Sequence, residues 1–207
     1  TLNRFSPAQM ELTGSVNIYK YDGNNWNKLG LEIHGENTFD IFGSSVSLSN
    51  DGYTVAIGAP NCDDEPGGPL SGSALIRYNG KGCVKIYSYN DNDWEQIGRD
   101  IYGETRGDYT GGSVSLSSDG TIVAIGFKFN GLIYTGNPSQ LPELSLSNPD
   151  SYVRIFRYNK VYSDDWEQIG MNIPSKTSSD LTGASVSLSS DGTIVAIGAP
   201  GHDSNKG

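Results

Sequence analysis

The sequence predicts an all-β protein, a β-propeller built of four-stranded antiparallel blades with about three blades' worth present. Three observations predict it. First, the stretch SVSLSSDGTIVAIG stands unchanged at Ser113–Gly126 and Ser185–Gly198, and with three substitutions at Ser45–Gly58. Second, each copy travels with a G-x-V-x-I-Y-x-Y-like run and a W-x-Q-I-G element, so that Trp26, Trp94 and Trp166 mark spacings of 68 and 72 residues. Units of that length cannot bury their apolar faces alone and need stacked neighbours. Third, hydrophobic residues make up only 35% while glycines number 27, which suits short strands and tight turns better than helical layers.

Each element of a blade can be justified from one unit. Ser-Val-Ser-Leu-Ser from Ser113 alternates with the period of a strand, Ser118-Asp119-Gly120 supplies a turn, and Thr121–Ile125 resumes as a β-branched strand. These are strands a and b. Val84–Tyr89 reads as strand c, Asn90–Asp93 as a polar turn, and Trp94 opens strand d. After a lead-in at residues 1–13, tandem repeats fill 14–207: strands c and d over 15–33, full units over 45–101 and 113–173, and strands a and b over 185–200. The end halves add up to one blade, yet three blades fall short of the roughly four to eight with which propellers close. Further repeats or other chains are needed to close the ring. Because Gly201–Gly207 stop where a b–c loop is due, the expectation is a segment of a longer protein.

The repeat resembles the FG-GAP repeat of integrin α-chain propellers. Phe42-Gly43 precedes strand a and Gly58-Ala59-Pro60 closes strand b, while the third copy has Thr182-Gly183 and Gly198-Ala199-Pro200. The second copy departs at both ends, with Thr110-Gly111 and Gly126-Phe127-Lys128. The resemblance implies a secreted or surface protein, a protein or glycan partner, and no catalysis. It also raises calcium, which FG-GAP repeats often hold in an Asp-x-Asp-x-Asp-Gly loop between strands a and b. Here that place carries a single carboxylate, Asp51, Asp119 or Asp191, whereas calcium takes 6–8 oxygens. No cofactor is expected, and calcium, if held anywhere, would fall to Asp63, Asp64 and Glu65.

A formal charge of −10 and a pI near 4.5 argue against nucleic acid, whose phosphates demand clustered basic residues. No apolar run is long enough for membrane insertion. Cys62 and Cys83 flank a loop of twenty residues, so a disulfide between them is expected to stabilise by about 3 kcal/mol. It would favour an extracellular or particle-surface location; two free thiols in a reducing cytosol are the alternative. The two histidines, His34 and His202, belong to no metal-binding or nucleophile pattern.

Function is then sought on the rim where the b–c and d–a loops emerge, since binding residues concentrate on variable loops held by a rigid frame. The candidate ligand-binding residues are Asp63, Asp64, Glu65, Asp108, Tyr109, Phe127, Phe129 and Tyr134. Arg106-Gly107-Asp108 spells an integrin-recognised tripeptide, but Asp108 shares its repeat position with Asp40 and Asp180 and is expected to be structural. The tryptophans recur with the architecture and are expected to pack between blades. The leading expectation is a non-catalytic binding or scaffold module. The alternatives are a purely structural repeat of an extended cell-surface or virion-surface assembly and, more distantly, a carbohydrate-active enzyme.

Overall fold

The computed structural model describes residues 13–63, 80–127, 151–177 and 180–202. Within them all regular structure is strand, and every pairing between strands is antiparallel. The first blade contributes strand c as β1 (Ser15–Val16) and β2 (Tyr19–Tyr21), and strand d as β3 (Trp26–Lys28) and β4 (Ile33–His34). The second is complete: β5 (Ser45–Leu48), β6 (Thr54–Ala59), β7 (Cys83–Tyr89), then strand d as β8 (Trp94–Gln96) and β9 (Ile101–Tyr102). The third repeats it with β10 (Ser113–Leu116), β11 (Ile122–Phe127), β12 (Tyr152–Asn159), β13 (Asp165–Gln168) and β14 (Ile173–Pro174). The last has strands a and b alone, β15 (Ser185–Leu188) and β16 (Val195–Gly198). Register is identical in all three a–b hairpins, Ser45 facing Gly58, Ser113 facing Gly126 and Ser185 facing Gly198.

The W-x-Q-I-G element proves to be two halves of one lock. Trp94 Nε1 donates to the Leu29 carbonyl at 2.8 Å, and Trp166 Nε1 to the Ile97 carbonyl at 3.0 Å. Each tryptophan therefore caps the leucine or isoleucine that precedes the glycine of the previous copy. A Cβ on Gly30 would lie 2.7 Å from Trp94 Cδ1, and one on Gly98 would lie 2.6 Å from Trp166 Cδ1. Only glycine leaves room for the ring, and its positive φ breaks strand d into two pieces there.

The constant serines of Ser-Val-Ser-Leu-Ser also face a neighbouring blade. Ser45 Oγ donates to the Gly111 carbonyl and Ser113 Oγ to the Gly183 carbonyl, both at 2.7 Å. Ser47 and Ser115 hydroxyls accept the Leu116 and Leu188 amides at 2.9 Å. Val114 and Leu116 point the other way into a core shared with Ala56, Val84 and Ile86 of the preceding blade. Period-2 alternation here sorts residues between two blades rather than between core and water. A second core joins Ile18, Ile33 and Phe42 to Val55, Ile57 and Trp94.

One expectation is corrected by position. Trp94 and Trp166 are 8% and 7% exposed, but Trp26 is 68% exposed, because none of the described blades lies against its outer face. Tyr21 still packs tilted against it with ring centroids 5.3 Å apart, as Tyr89 does against Trp94 and Tyr158 against Trp166.

Candidate functional site

The d–a and b–c connections meet on one rim. Asn61 N donates to the Asp40 carbonyl, Gly107 N to the Gly80 carbonyl, and Gly103 N to the Gly82 carbonyl. Cys62 and Cys83 are joined, with Cα atoms 5.7 Å apart. The bridge closes the base of the b–c connection of the second blade at the edge of the β6–β7 pairing, where Ala59 faces Cys83. Asp63, next to it, pairs with Arg106 at 2.6 Å.

Asp108 is consumed by its own loop. Its carboxylate accepts the Glu104 and Thr105 amides at 2.8 and 2.9 Å, the Thr105 hydroxyl, and the Tyr152 hydroxyl at 3.1 Å. Asp180 does the same with the Lys176 and Thr177 amides and the Thr177 hydroxyl, and Asp40 accepts from Asn37. With Arg106 engaged by Asp63 as well, the Arg-Gly-Asp triplet is architecture. Tyr109 holds a positive φ of 57°, matching Ile41 at 59° and Leu181 at 55°. Such a conformation is uncommon for residues with a Cβ, and its recurrence shows three d–a loops of differing sequence wound to one backbone plan.

Phe127 is not a rim contact residue. It is 1% exposed, stacks on Tyr152 with ring centroids 4.4 Å apart, and lies under the Arg154 guanidinium at 4.7 Å. As the last residue of β11, where the other copies have alanine, it fills core volume. Asp64, Glu65, Phe129 and Tyr134 lie outside the described residues. So of the eight candidates the structure brings Asp63, Asp108 and Tyr109 to one rim, the two carboxylates already paired.

A groove of about 650 Å³ that the sequence did not signal runs between the second and third blades. Gln96, Arg99, Asp100, Tyr102, Arg154 and Trp166 line it. Its polar groups are arranged in pairs. Arg154 donates to Glu104 at 2.9 Å and to the Tyr102 carbonyl at 3.0 Å, while Arg99 bonds Asp165 at 2.6 Å. Lys85, just behind, donates to Asp100 at 2.7 Å and Glu36 at 3.0 Å. Burial, aided by a bond to Asp100, pushes the Tyr102 hydroxyl well above the ordinary tyrosine range. Charged partners set beside an aromatic edge can seat a hydroxyl-rich or peptide-like ligand without net charge. The only sequence trace of the groove is the recurrence of Lys85–Glu36 as Arg154–Glu104, separated by 49 and 50 residues.

Phe42 plugs the core between the first two blades, and Gly43 N donates to the Gly58 carbonyl at 3.0 Å, so the Phe-Gly and Gly-Ala-Pro ends of the first unit are hydrogen-bonded to each other. Gly183 and Gly198 repeat that bond. The FG-GAP repeat family model matches residues 35–76. This segment is an FG-GAP repeat. Against solved structures, the chain is similar to a candidate 6-phosphogluconolactonase of Bacteroides uniformis, at 13% identity and a TM-score of 0.50, over 89% of this chain and 41% of that one. A periplasmic gluconolactonase of Pseudomonas aeruginosa matches at 14% identity and a TM-score of 0.33, over 88% and 57%. The chain thus spans about half the length of these structures, and the first likeness concerns the fold alone. No curated protein matches the sequence. FG-GAP repeats and a disulfide are typical of extracellular proteins, and among the described residues no helix is long and apolar enough to cross a membrane.

At the three a–b turns, Asp51, Asp119 and Asp191 each accept a serine hydroxyl at 2.6 Å and a backbone amide at 3.0 Å with the same oxygen. These bonds favour the ionised form, so Asp191 is lowered to about 2, first by Ser189 and then by the Thr193 amide. Asp180 is lowered to about 2, chiefly by the Thr177 hydroxyl. Asp40 moves upward instead, because burial outweighs its bonds to Asn37. For the lowered groups, stability is fully present above the unfolded value of about 4 and is lost as pH falls through the folded value. The melting temperature is therefore expected to hold from pH 7 to 5 and to fall between about pH 4 and 2. Asp191→Asn should lower the neutral-pH value and flatten that fall; a fall of unchanged steepness in a thermal melt series would refute the assignment.

Proposed function

We propose that the chain is a non-catalytic binding module of a secreted or surface protein, engaging a protein or glycan through the b–c rim. The observation that carries this reading is the locked base of the connection over residues 64–79. It is held at once by the Cys62–Cys83 bridge, by Asp63–Arg106, and by Gly80 N donating to Asn61 Oδ1 at 3.1 Å. A frame so cross-linked lets the residues between vary without loss of the blade, which is the arrangement binding loops use. The rim carboxylates Asp40, Asp108 and Asp180 are committed to backbone amides, leaving them little part in acid–base chemistry. Calcium would have to be sought at Asp64 and Glu65, since Asp63 faces a guanidinium.

The test is a glycan array and a cell-surface binding assay with the labelled chain, compared with a variant whose residues 64–79 are a Gly-Ser linker, and with Phe129→Ala/Tyr134→Ala. Binding should drop by tenfold or more, about 1.4 kcal/mol, in at least one variant with the melting temperature kept, because a few loop side chains dominate interface energy. Full binding by both, or none by the parent chain, would sink the reading.

A further inference from the structure

The groove between the second and third blades has a complete blade on either side, with strand d of one (β8, β9) facing strands c and d of the other (β12, β13). Its chemistry differs from that of the junction before it. Where the groove has Arg99 and Arg154, the first and second blades meet at Leu31 and Lys85. Asp93 accepts the Leu31 amide at 2.9 Å as Asp165 accepts the Arg99 amide at 2.8 Å, but of the two only Asp165 also holds a guanidinium, through Arg99 Nε at 2.6 Å. Lys85 meets two carboxylates, Asp100 and Glu36, whereas Arg154 meets Glu104 alone. The nitrogen this leaves over, Arg154 Nε, is buried with no acceptor, on a groove-lining side chain that is 9% exposed.

Size, charge and backbone narrow what the groove can take. Its volume of about 650 Å³ falls within the roughly 300–1,000 Å³ of small-molecule sites. Every charge that lines it is answered, Arg99 by Asp165, Arg154 by Glu104 and Asp100 by Lys85. A phosphate or carboxylate would have to break one of these pairs, and stranding the partner is costly. A peptide strand finds no edge to extend, because the break at Gly98, with φ 68°, parts β8 from β9. What stays open is a set of single hydrogen-bonding groups. One terminal nitrogen of Arg99, on a side chain 89% exposed, has no protein acceptor among the described residues. Gln96 spends its amide hydrogens on Asp100 and the Gly98 carbonyl, so its oxygen is open to a donor. Ile101, Phe156 and Trp166 add an apolar floor. A hydroxyl both donates and accepts, and so joins such groups without displacing a pair.

We propose that this groove is a saccharide site that seats a short neutral glycan. Arg99 and Gln96 hold ring hydroxyls, and the C–H face of the sugar lies against Ile101, Phe156 and Trp166. A small turn of the Arg154 guanidinium gives its Nε the oxygen acceptor it lacks. The first junction, with Leu31 in place of Arg99, lacks the exposed donor and takes no sugar. This site is separate from the connection over residues 64–79, so the rim reading can fail while the groove binds, and the reverse.

The test is an NMR titration of the isotope-labelled chain with the neutral disaccharides maltose, cellobiose, lactose and chitobiose, and with glucuronate and inorganic phosphate as charged probes. At least one neutral disaccharide should move the Gln96 side-chain amide and Trp166 indole resonances to saturation. Arg99→Leu installs the residue of the first junction at an exposed position, so the melting temperature should hold while affinity falls at least about tenfold. The variant with a Gly-Ser linker over 64–79 should bind the same disaccharide as the parent does. No movement with any of the four disaccharides, saturation by a charged probe alone, unchanged affinity in Arg99→Leu, or loss of binding in the linker variant would overturn the proposal.

Discussion

Trp166→Ala is expected to destabilise the fold by about 3–5 kcal/mol, the range for cutting a large core aromatic to alanine. Three losses add at one place. The ring leaves a void in the core that holds Phe156 and Leu116, the Ile97 carbonyl loses its donor, and Gly98 loses the surface against which its turn is wound. Trp94→Ala should behave alike, since Trp94 serves Leu29 and Gly30 in the same manner. Trp26→Ala should change stability by well under about 1 kcal/mol, because an exposed ring surrenders little buried area. Chemical denaturation of the three variants decides the matter. Equal losses at all three positions would mean that the tryptophan stabilises its own strand pair through the tyrosine beside it, not the joint between blades.

That contrast also shows how much of the molecule was legible in advance. Repetition made the blade readable, because each strand, turn and tryptophan was displayed two or three times in register. The function of Ser113 and Ser115 was less readable, since alternating serines look like a solvated face and only the adjoining blade turns them into donors and acceptors. Phe127 was misjudged because it departs from the repeat. Divergence suggested a loop, yet the position belongs to β11 and the larger side chain fills space beside Tyr152. Pairings across long separations left no local trace, as with Arg106 and Asp63, or Arg154 and Glu104. Asp108 was rightly placed as a repeat position, but its four acceptor contacts come from three different residues and could not be counted from spacing.

The second large effect is expected at Lys85. Its ammonium is buried, and burial alone would lower its pKa; the bonds to Asp100 and then Glu36 outweigh that and raise it above the ordinary lysine value. Lys85 therefore stays charged in the fold at neutral pH. Lys85→Met keeps the volume but leaves Asp100, itself mostly buried, facing an apolar chain. Removing one partner of a buried ion pair costs about 3–5 kcal/mol, more than the pair contributes on balance, because the remaining charge is uncompensated. Tyr102 still donates to Asp100 at 2.9 Å, so the loss should fall toward the lower end of that range. The double variant Lys85→Met/Asp100→Asn separates the two contributions. It should recover much of the loss by removing the stranded carboxylate, while Lys85→Met/Glu36→Gln should recover little, because Glu36 is largely exposed and solvated. Denaturant melts of these proteins together with Asp100→Asn and Glu36→Gln alone measure the coupling directly. If the Asp100 double variant is no more stable than Lys85→Met alone, the cost lies in packing of the lysine stem, and the buried charge is not what ties β7 to strand d within the second blade.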